Sequence, residues 1–274
     1  MLNMEAYFKR IDYTGDAKPT IANLKMLQKA HLTHVPYENL DLIYHRAGSL
    51  EPETVYQKVV EDHRGGYCFE LNGLFAELLR QMGYEVTEYF GRWLLGEKPF
   101  PARRHRILDV TAEGKRFISD VGVGCVCPLE PLEFVLNETQ MREGRAYRII
   151  REEKLGNIVQ TDTGEGFVNF YSFTEDPQWT IDFLYVHHYC ATHPDSVFAK
   201  MAKIHIFTET GRNSIMDEVN KETGKVERVA RLSRPGGMEK FIIRDEQELY
   251  QILKQDFNIE AVFLRDSQSG QYSK

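Results

Sequence analysis

Three residues of this 274-residue chain have the types that nucleophilic catalysis uses: Cys68, His105 and Asp120, in that order. A thiol needs a base to take its proton, and an imidazole needs a carboxylate to fix its tautomer and direction. Cys68 lies in Arg64-Gly65-Gly66-Tyr67-Cys68-Phe69-Glu70-Leu71-Asn72. Two glycines stop one helix there. The next begins at or near the cysteine, because Leu71, Leu74, Phe75, Leu78, Leu79 and Met82 recur at the spacing of a helix buried on one side. Gly83 supplies a left-handed stop. A thiol at a helix N-terminus faces unpaired N–H groups and the positive end of the macrodipole, which favour thiolate. The alternative is a small buried hydrophobe, the usual place of a free cysteine.

The other two residues are joined by a hairpin. Strand-like runs Arg104 to Ala112 and Lys115 to Gly124 meet at Glu113-Gly114. A two-residue loop there pairs 112 with 115, so Ile107 faces Asp120 and His105 faces Gly122. Side chains two apart share a face, which makes His105 and Asp120 diagonal neighbours. Gly122 leaves room for a group to approach the imidazole. A one-residue slip would put the pair on opposite faces. Taken singly, His105 reads as a structural histidine and Asp120 as a turn residue.

The elements that must position these groups change character along the chain. Ile21, Leu24, Leu27, His31 and Leu32 form a helical stripe ended by Pro36. Pro36-Tyr37-Glu38-Asn39-Leu40 reads as a loop, and Glu38 is expected to pair with Arg64 as a structural ion pair. Ser49 and Pro52 open a further helix through Val60. Residues 1–83 therefore read as a helical bundle carrying the nucleophile. From Tyr84 the period becomes strand-like, at 85–90, then after an irregular stretch 91–104 in the hairpin, and at 146–150, 156–160 and 167–173. Residues 84–191 thus predict a curved antiparallel sheet or β-barrel holding the histidine and the aspartate. Residues 192–274 begin at a break near Thr192 and Pro194. They alternate strand-like pieces with a closing helix, Glu246 to Asp256, capped by Asp245. The fold class is α+β.

A formal charge of −7 with no basic stripe argues against nucleic acid. No apolar leader or long apolar run is present, so no membrane partner is expected and the location read is cytoplasmic. Four cysteines in a chain this long make no disulfide scaffold. Cys125 and Cys127 share a strand face but have no second pair, so they read as apolar residues or a thiol lining a site rather than a metal site. His187 and His188, read as adjacent strand residues, point to opposite faces and cannot share an ion.

The cysteine stretch resembles the nucleophile motif of the arylamine N-acetyltransferases. Pro36-Tyr37-Glu38-Asn39-Leu40 is similar to that family's Pro-Phe-Glu-Asn-Leu segment. Asp120-Val121-Gly122-Val123-Gly124 is similar to its Asp-x-Gly-aromatic-Gly stretch. Tyr171 to Thr174, Thr192-x-Pro194-x-Ser196-x-Phe198, Gly211-Arg212 and Phe257-Asn258-Ile259 extend the likeness to the C-terminal part. The resemblance implies a helical bundle, a barrel and an α/β lid, with Cys68, His105 and Asp120 as the catalytic trio. It implies acetyl-coenzyme A as co-substrate and no bound cofactor or metal. The acyl group would pass through Cys68 to an aromatic amine or hydrazine. Tyr37 and Val123 come from matched motifs as aryl-pocket residues, and Trp93 joins them by its place at a strand end. Arg103 and Arg104 are expected at coenzyme A phosphates; otherwise they form a solvated basic loop. A thiol hydrolase, an intramolecular amide synthase and a non-catalytic binder are the rival readings.

Overall fold

The chain is described by a computed structural model over residues 1–46, 48–97, 100–124, 127–209 and 211–260. The first part is helical: α1 (Met4–Arg10), α2 (Ile21–His34), a two-residue strand β1 (Tyr37–Glu38), α3 (Leu40–Ile43), α4 (Pro52–Tyr56) and α5 (Cys68–Gln81). A π-helical turn, Gln57–Glu61, continues α4. α5 is the central rod, with Phe69, Leu71, Leu74, Phe75, Leu78 and Leu79 all buried, and Gly83 closes it at φ +90°. Each such side chain removed from water contributes about 1.5–3 kcal/mol.

The barrel strands follow: β2 (Glu85–Trp93), β3 (Arg103–Ala112), β4 (Lys115–Ser119), β5 (Leu132–Glu133), β6 (Gln140–Arg142), β7 (Arg145–Glu152), β8 (Gly156–Asp162) and β9 (Phe167–Phe173). They form one antiparallel sheet in the order β5-β4-β3-β2-β9-β8-β7-β6. The seam between β5 and β6 is bridged by one side chain. The Gln140 amide donates to the Glu133 carbonyl at 2.8 Å and accepts from the Glu133 N–H at 2.9 Å. A side chain thus replaces a ladder step where the two edges meet.

Beyond the barrel come α6 (Thr180–Thr192), a short 3₁₀ turn at Val197–Ala199, strands β10 (Lys203–Thr208), β11 (Gly211–Val219), β12 (Val226–Arg234) and β13 (Gly237–Ile242), and α7 (Glu246–Asp256). These strands form a second antiparallel sheet, β1-β10-β11-β12-β13. α7 packs Leu249, Ile252 and Leu253 against Ile204, Ile206 and Ile215. Its N-cap Asp245 accepts from Glu248 N–H at 2.8 Å.

Several sequence expectations are corrected. Pro36 to Leu40 is not a loop. Tyr37 and Glu38 pair with His205 and Ile204 on β10, and Leu40 sits in the core of the second sheet. The strand expected to reach Gly124 ends at Ser119, because the Asp120 carboxylate accepts from Gly122 N–H at 2.9 Å and turns the backbone. Residues 91–104 are less irregular than expected, since β2 runs to Trp93 and β3 begins at Arg103, with a bulge after Gly91 that leaves Arg104 unpaired in the ladder. Residues 180–192 are a helix, with Phe183, His187, Cys190 and Ala191 buried at helical spacing. His187 therefore stands on a helix, where its ring bonds the Tyr67 hydroxyl and the Gly48 carbonyl. No helix of the described residues is long and apolar enough to cross a membrane.

Candidate active site

Cys68 is the first residue of α5 and is 3% exposed. The Glu70 carboxylate accepts the Tyr67 N–H at 3.0 Å, which fixes the helix start. On β3, His105 places Nε2 at 2.6 Å from Asp120 Oδ2, just past the end of β4. The Cys68 thiol donates to the carbonyl of the preceding residue, Arg104, at 3.7 Å, near enough to His105 for its charge to act on the imidazole. The ring is flanked by Trp93, edge-on at 6.3 Å, and by Tyr171 at 5.5 Å. The expected register holds from Ala112–Lys115 to Leu108–Ser119, where the ladder ends before the expected pairings of Ile107 with Asp120 and of His105 with Gly122; just past that end Asp120 meets His105. The room left by Gly122 is filled by Cys68 itself: a Cβ there would stand 2.6 Å from Cys68 Cα.

Burial alone would hold the imidazole pKa down. The Asp120 charge and hydrogen bond, followed by those of Cys68, outweigh it and raise His105 to about 10. The site is built for an imidazolium between a sulfur and a carboxylate.

Sequence reasoning gave Asn72 no role. It lies one helical turn after Cys68, on the same face of α5. Its Nδ2 donates to Asp120 Oδ1 at 2.8 Å, and its Oδ1 accepts the Val121 N–H at 2.8 Å. One helix thus carries both the thiol and the clamp on the carboxylate that orients its base. Gln28 adds a second clamp, accepting from Ser119 Oγ at 2.7 Å and from Asp120 N–H at 3.3 Å. The only advance signal was the i, i+4 spacing of Cys68 and Asn72.

Glu38 and Arg64 meet at 2.7 Å, within a larger buried cluster beside the nucleophile turn. Arg64 also reaches Asp41 at 2.9 Å, and Lys58, set on the π-helical turn, reaches Asp41 at 2.7 Å and Glu70 at 2.8 Å. Burial opposes the charge on Arg64, yet Glu38 and Asp41 hold it well above its ordinary range. The backbone joins the same parts: Glu38 N–H donates to the Gly66 carbonyl at 2.8 Å.

A cavity of about 230 Å³ opens on Cys68 and His105. Tyr37, Trp93 and Val123 all line it. Phe198, Lys203, His205, Arg212 and Met216 also line it, from the 3₁₀ turn, β10 and β11. Phe198 and Arg212 fell in motifs quoted from the sequence without a role; His205 had no signal. Arg104 lines the cavity but is held by Glu97 at 3.1 Å, whereas Arg103 lies on an outer depression beside Tyr185 and Tyr189. Cys127 is buried, with its thiol donating to the Pro128 carbonyl at 3.5 Å; Cys125 lies outside the described residues.

A family profile described as N-acetyltransferase matches residues 20–264. The arylamine N-acetyltransferase of Mycobacterium tuberculosis is 31% identical over 94% of this chain and 89% of its own length. The chain belongs to the arylamine N-acetyltransferase family. Among solved members, the M. tuberculosis structure matches with a TM-score of 0.83 at 30% identity, covering 96% of this chain and 94% of that one. The Mycobacterium marinum enzyme, solved in complex with CoA, matches with a TM-score of 0.83 at 28% identity, over the same shares of each chain. This arylamine N-acetyltransferase family member is an acetyltransferase with the α+β architecture its sequence predicted, a helical bundle, a nearly closed antiparallel barrel and an α/β lid.

Proposed function

We propose that the protein transfers an acetyl group from acetyl-coenzyme A to the nitrogen of an arylamine or arylhydrazine, through an acetyl-cysteine on Cys68. The observation that carries this reading is that Cys68 and His105 line one aromatic-walled cavity, with His105 hydrogen-bonded to Asp120. The Cys68 sulfur attacks the thioester carbonyl, the carbon–sulfur bond to coenzyme A breaks, and His105 protonates the departing thiolate. The amine nitrogen then attacks the acetyl-cysteine carbonyl. His105 takes the proton from nitrogen, and the Cys68 thiolate leaves. Two half-reactions sharing one acyl-enzyme give ping-pong kinetics.

Asp120 keeps Nε2 occupied, which leaves the other ring nitrogen to exchange the proton in both halves of the cycle. Tyr37, Trp93 and Val123 offer faces for an aromatic ring, and their bulk excludes water that would hydrolyse the acyl-cysteine. In this reading segment 1–83 supplies the nucleophile, 84–191 the base and its carboxylate, and 192–274 the cover; the enzyme works in the cytoplasm.

Cys68→Ala and Cys68→Ser are expected to abolish acetyl transfer to an aniline while the far-ultraviolet dichroism stays that of the wild type. Wild-type turnover in either variant would end the proposal. Acetyl-coenzyme A consumed at equal rate with and without amine would instead favour a thiol hydrolase.

A further inference from the structure

The catalytic cavity contains two polar groups that the acyl-transfer cycle does not use. Residues alternate along a strand, so β10 and β11 turn Lys203, His205, Arg212 and Met216 toward Cys68 and send Ile204, Ile206 and Ile215 into the lid core. His205 is 7% exposed, and neither ring nitrogen has a hydrogen-bond partner among the described residues; Nδ1 is wholly buried. Burial, with Arg212 and Lys203 beside it, keeps this imidazole uncharged, with its pKa pushed down to about 3. Arg212 is half-buried and has no hydrogen bond or ion pair among the described residues. Buried polar groups are nearly always satisfied, so the unpartnered His205 ring in a substrate cavity, with the partly exposed Arg212 beside it, marks a place for a ligand atom.

Arg212 also lines a second cavity, of about 500 Å³, whose walls carry Arg142, Arg145 and Arg231 against Glu143 and Glu209. Those three arginines are engaged, with the Pro131 carbonyl, the Asp162 carbonyl and the Glu218 carboxylate respectively. Arg104, the other arginine near the sulfur, is neutralised by Glu97, and Arg103 faces elsewhere. Arg212 therefore stands where the two cavities meet, with an unused planar fork of donors suited to an oxyanion.

We infer that Arg212, with His205 as a hydrogen-bonding neighbour, forms a subsite that binds an anionic oxygen group of a substrate at the mouth of the Cys68 cavity. The inference rests on the acetyl-transfer reading above. Two sources carry that chemistry: a phosphate of the acyl donor and a carboxylate on the aromatic acceptor.

Steady-state kinetics of Arg212→Gln and Arg212→Lys separate them. Acetyl-coenzyme A is compared with phosphate-free S-acetylpantetheine, and 4-aminobenzoate with its methyl ester. Arg212→Gln is expected to raise the KM of the anionic partner by about tenfold or more relative to its uncharged counterpart, with part of the loss restored by Arg212→Lys. A rise confined to acetyl-coenzyme A assigns the subsite to phosphate. One confined to 4-aminobenzoate assigns it to carboxylate. Equal behaviour of charged and uncharged members in both pairs overturns the subsite. Calorimetric binding of free coenzyme A and of 4-aminobenzoate to wild type and Arg212→Gln distinguishes the same two sources without turnover. Failure of the function itself is distinct: wild-type Cys68 would then take no acetyl group from acetyl-coenzyme A.

Discussion

At the scale of single residues, the site is a proton-holding device assembled on one helix and one hairpin. Asp120 is fixed by Asn72, by the Gly122 N–H and by His105, so its carboxylate has no freedom to follow other partners. Asp120→Asn is expected to lower turnover by about 10²-fold or more, because the imidazole loses both its anchor and its charge partner. The same change has a pH signature. His105 is raised from an ordinary 6.5 to about 10, so the folded state binds its proton more tightly than the unfolded state. That stabilisation is complete below pH 6.5 and is lost as the pH rises through about 10. The melting-temperature advantage of wild type over Asp120→Asn should therefore shrink steadily as the pH rises from about 6.5 to about 10. An advantage that grows toward pH 10 would contradict the assignment of the proton to His105.

At the scale of elements, the nucleophile turn is locked by charge rather than by apolar packing alone. Arg64 and Lys58 face Glu38, Asp41 and Glu70 in a buried cluster that ties β1 and α3 to the start of α5. Removing one member leaves the others buried and uncompensated, at a cost of about 3–5 kcal/mol. Arg64→Gln should melt well below the wild type in a calorimetric scan; an unchanged melting temperature would deny the cluster that role. The elements also divide by how plainly the sequence announces them. α5 and α7 carry unbroken helical stripes, and the hairpin of β3 and β4 carries a two-residue turn, so each could be read locally. The strand at Tyr37–Glu38 could not, because its pairing partner, β10, lies far along the chain. α6 escaped because its run of aromatic residues has strand-like composition, and its helical period shows only in which side chains are buried. Lys58 was hidden for a related reason: the π-helical turn shifts its side chain relative to a regular helix. Cys68, His105 and Asp120 were legible because one lies at a marked helix start and two are joined by a countable register. Asn72, His205 and Arg212 gain meaning only from what stands across from them.

At the scale of the whole molecule, the lid sheet turns one face over a sulfur at the base of the bundle and barrel. The cavity walls come from all three parts: Tyr37 and Cys68 from the first, Trp93, His105 and Val123 from the second, and Phe198 and His205 from the third. Such enclosure suits a chemistry in which a covalent intermediate must wait for an amine while water is kept away. The most direct measurement is the intact mass of the protein after exposure to acetyl-coenzyme A without any amine. A single adduct of about 42 Da is expected, an acetyl group replacing a proton, on Cys68 and in stoichiometric amount, removed when an arylamine is added. A protein that stays unmodified, or an adduct that persists on the Cys68→Ala variant, would contradict an acetyl-cysteine at this site.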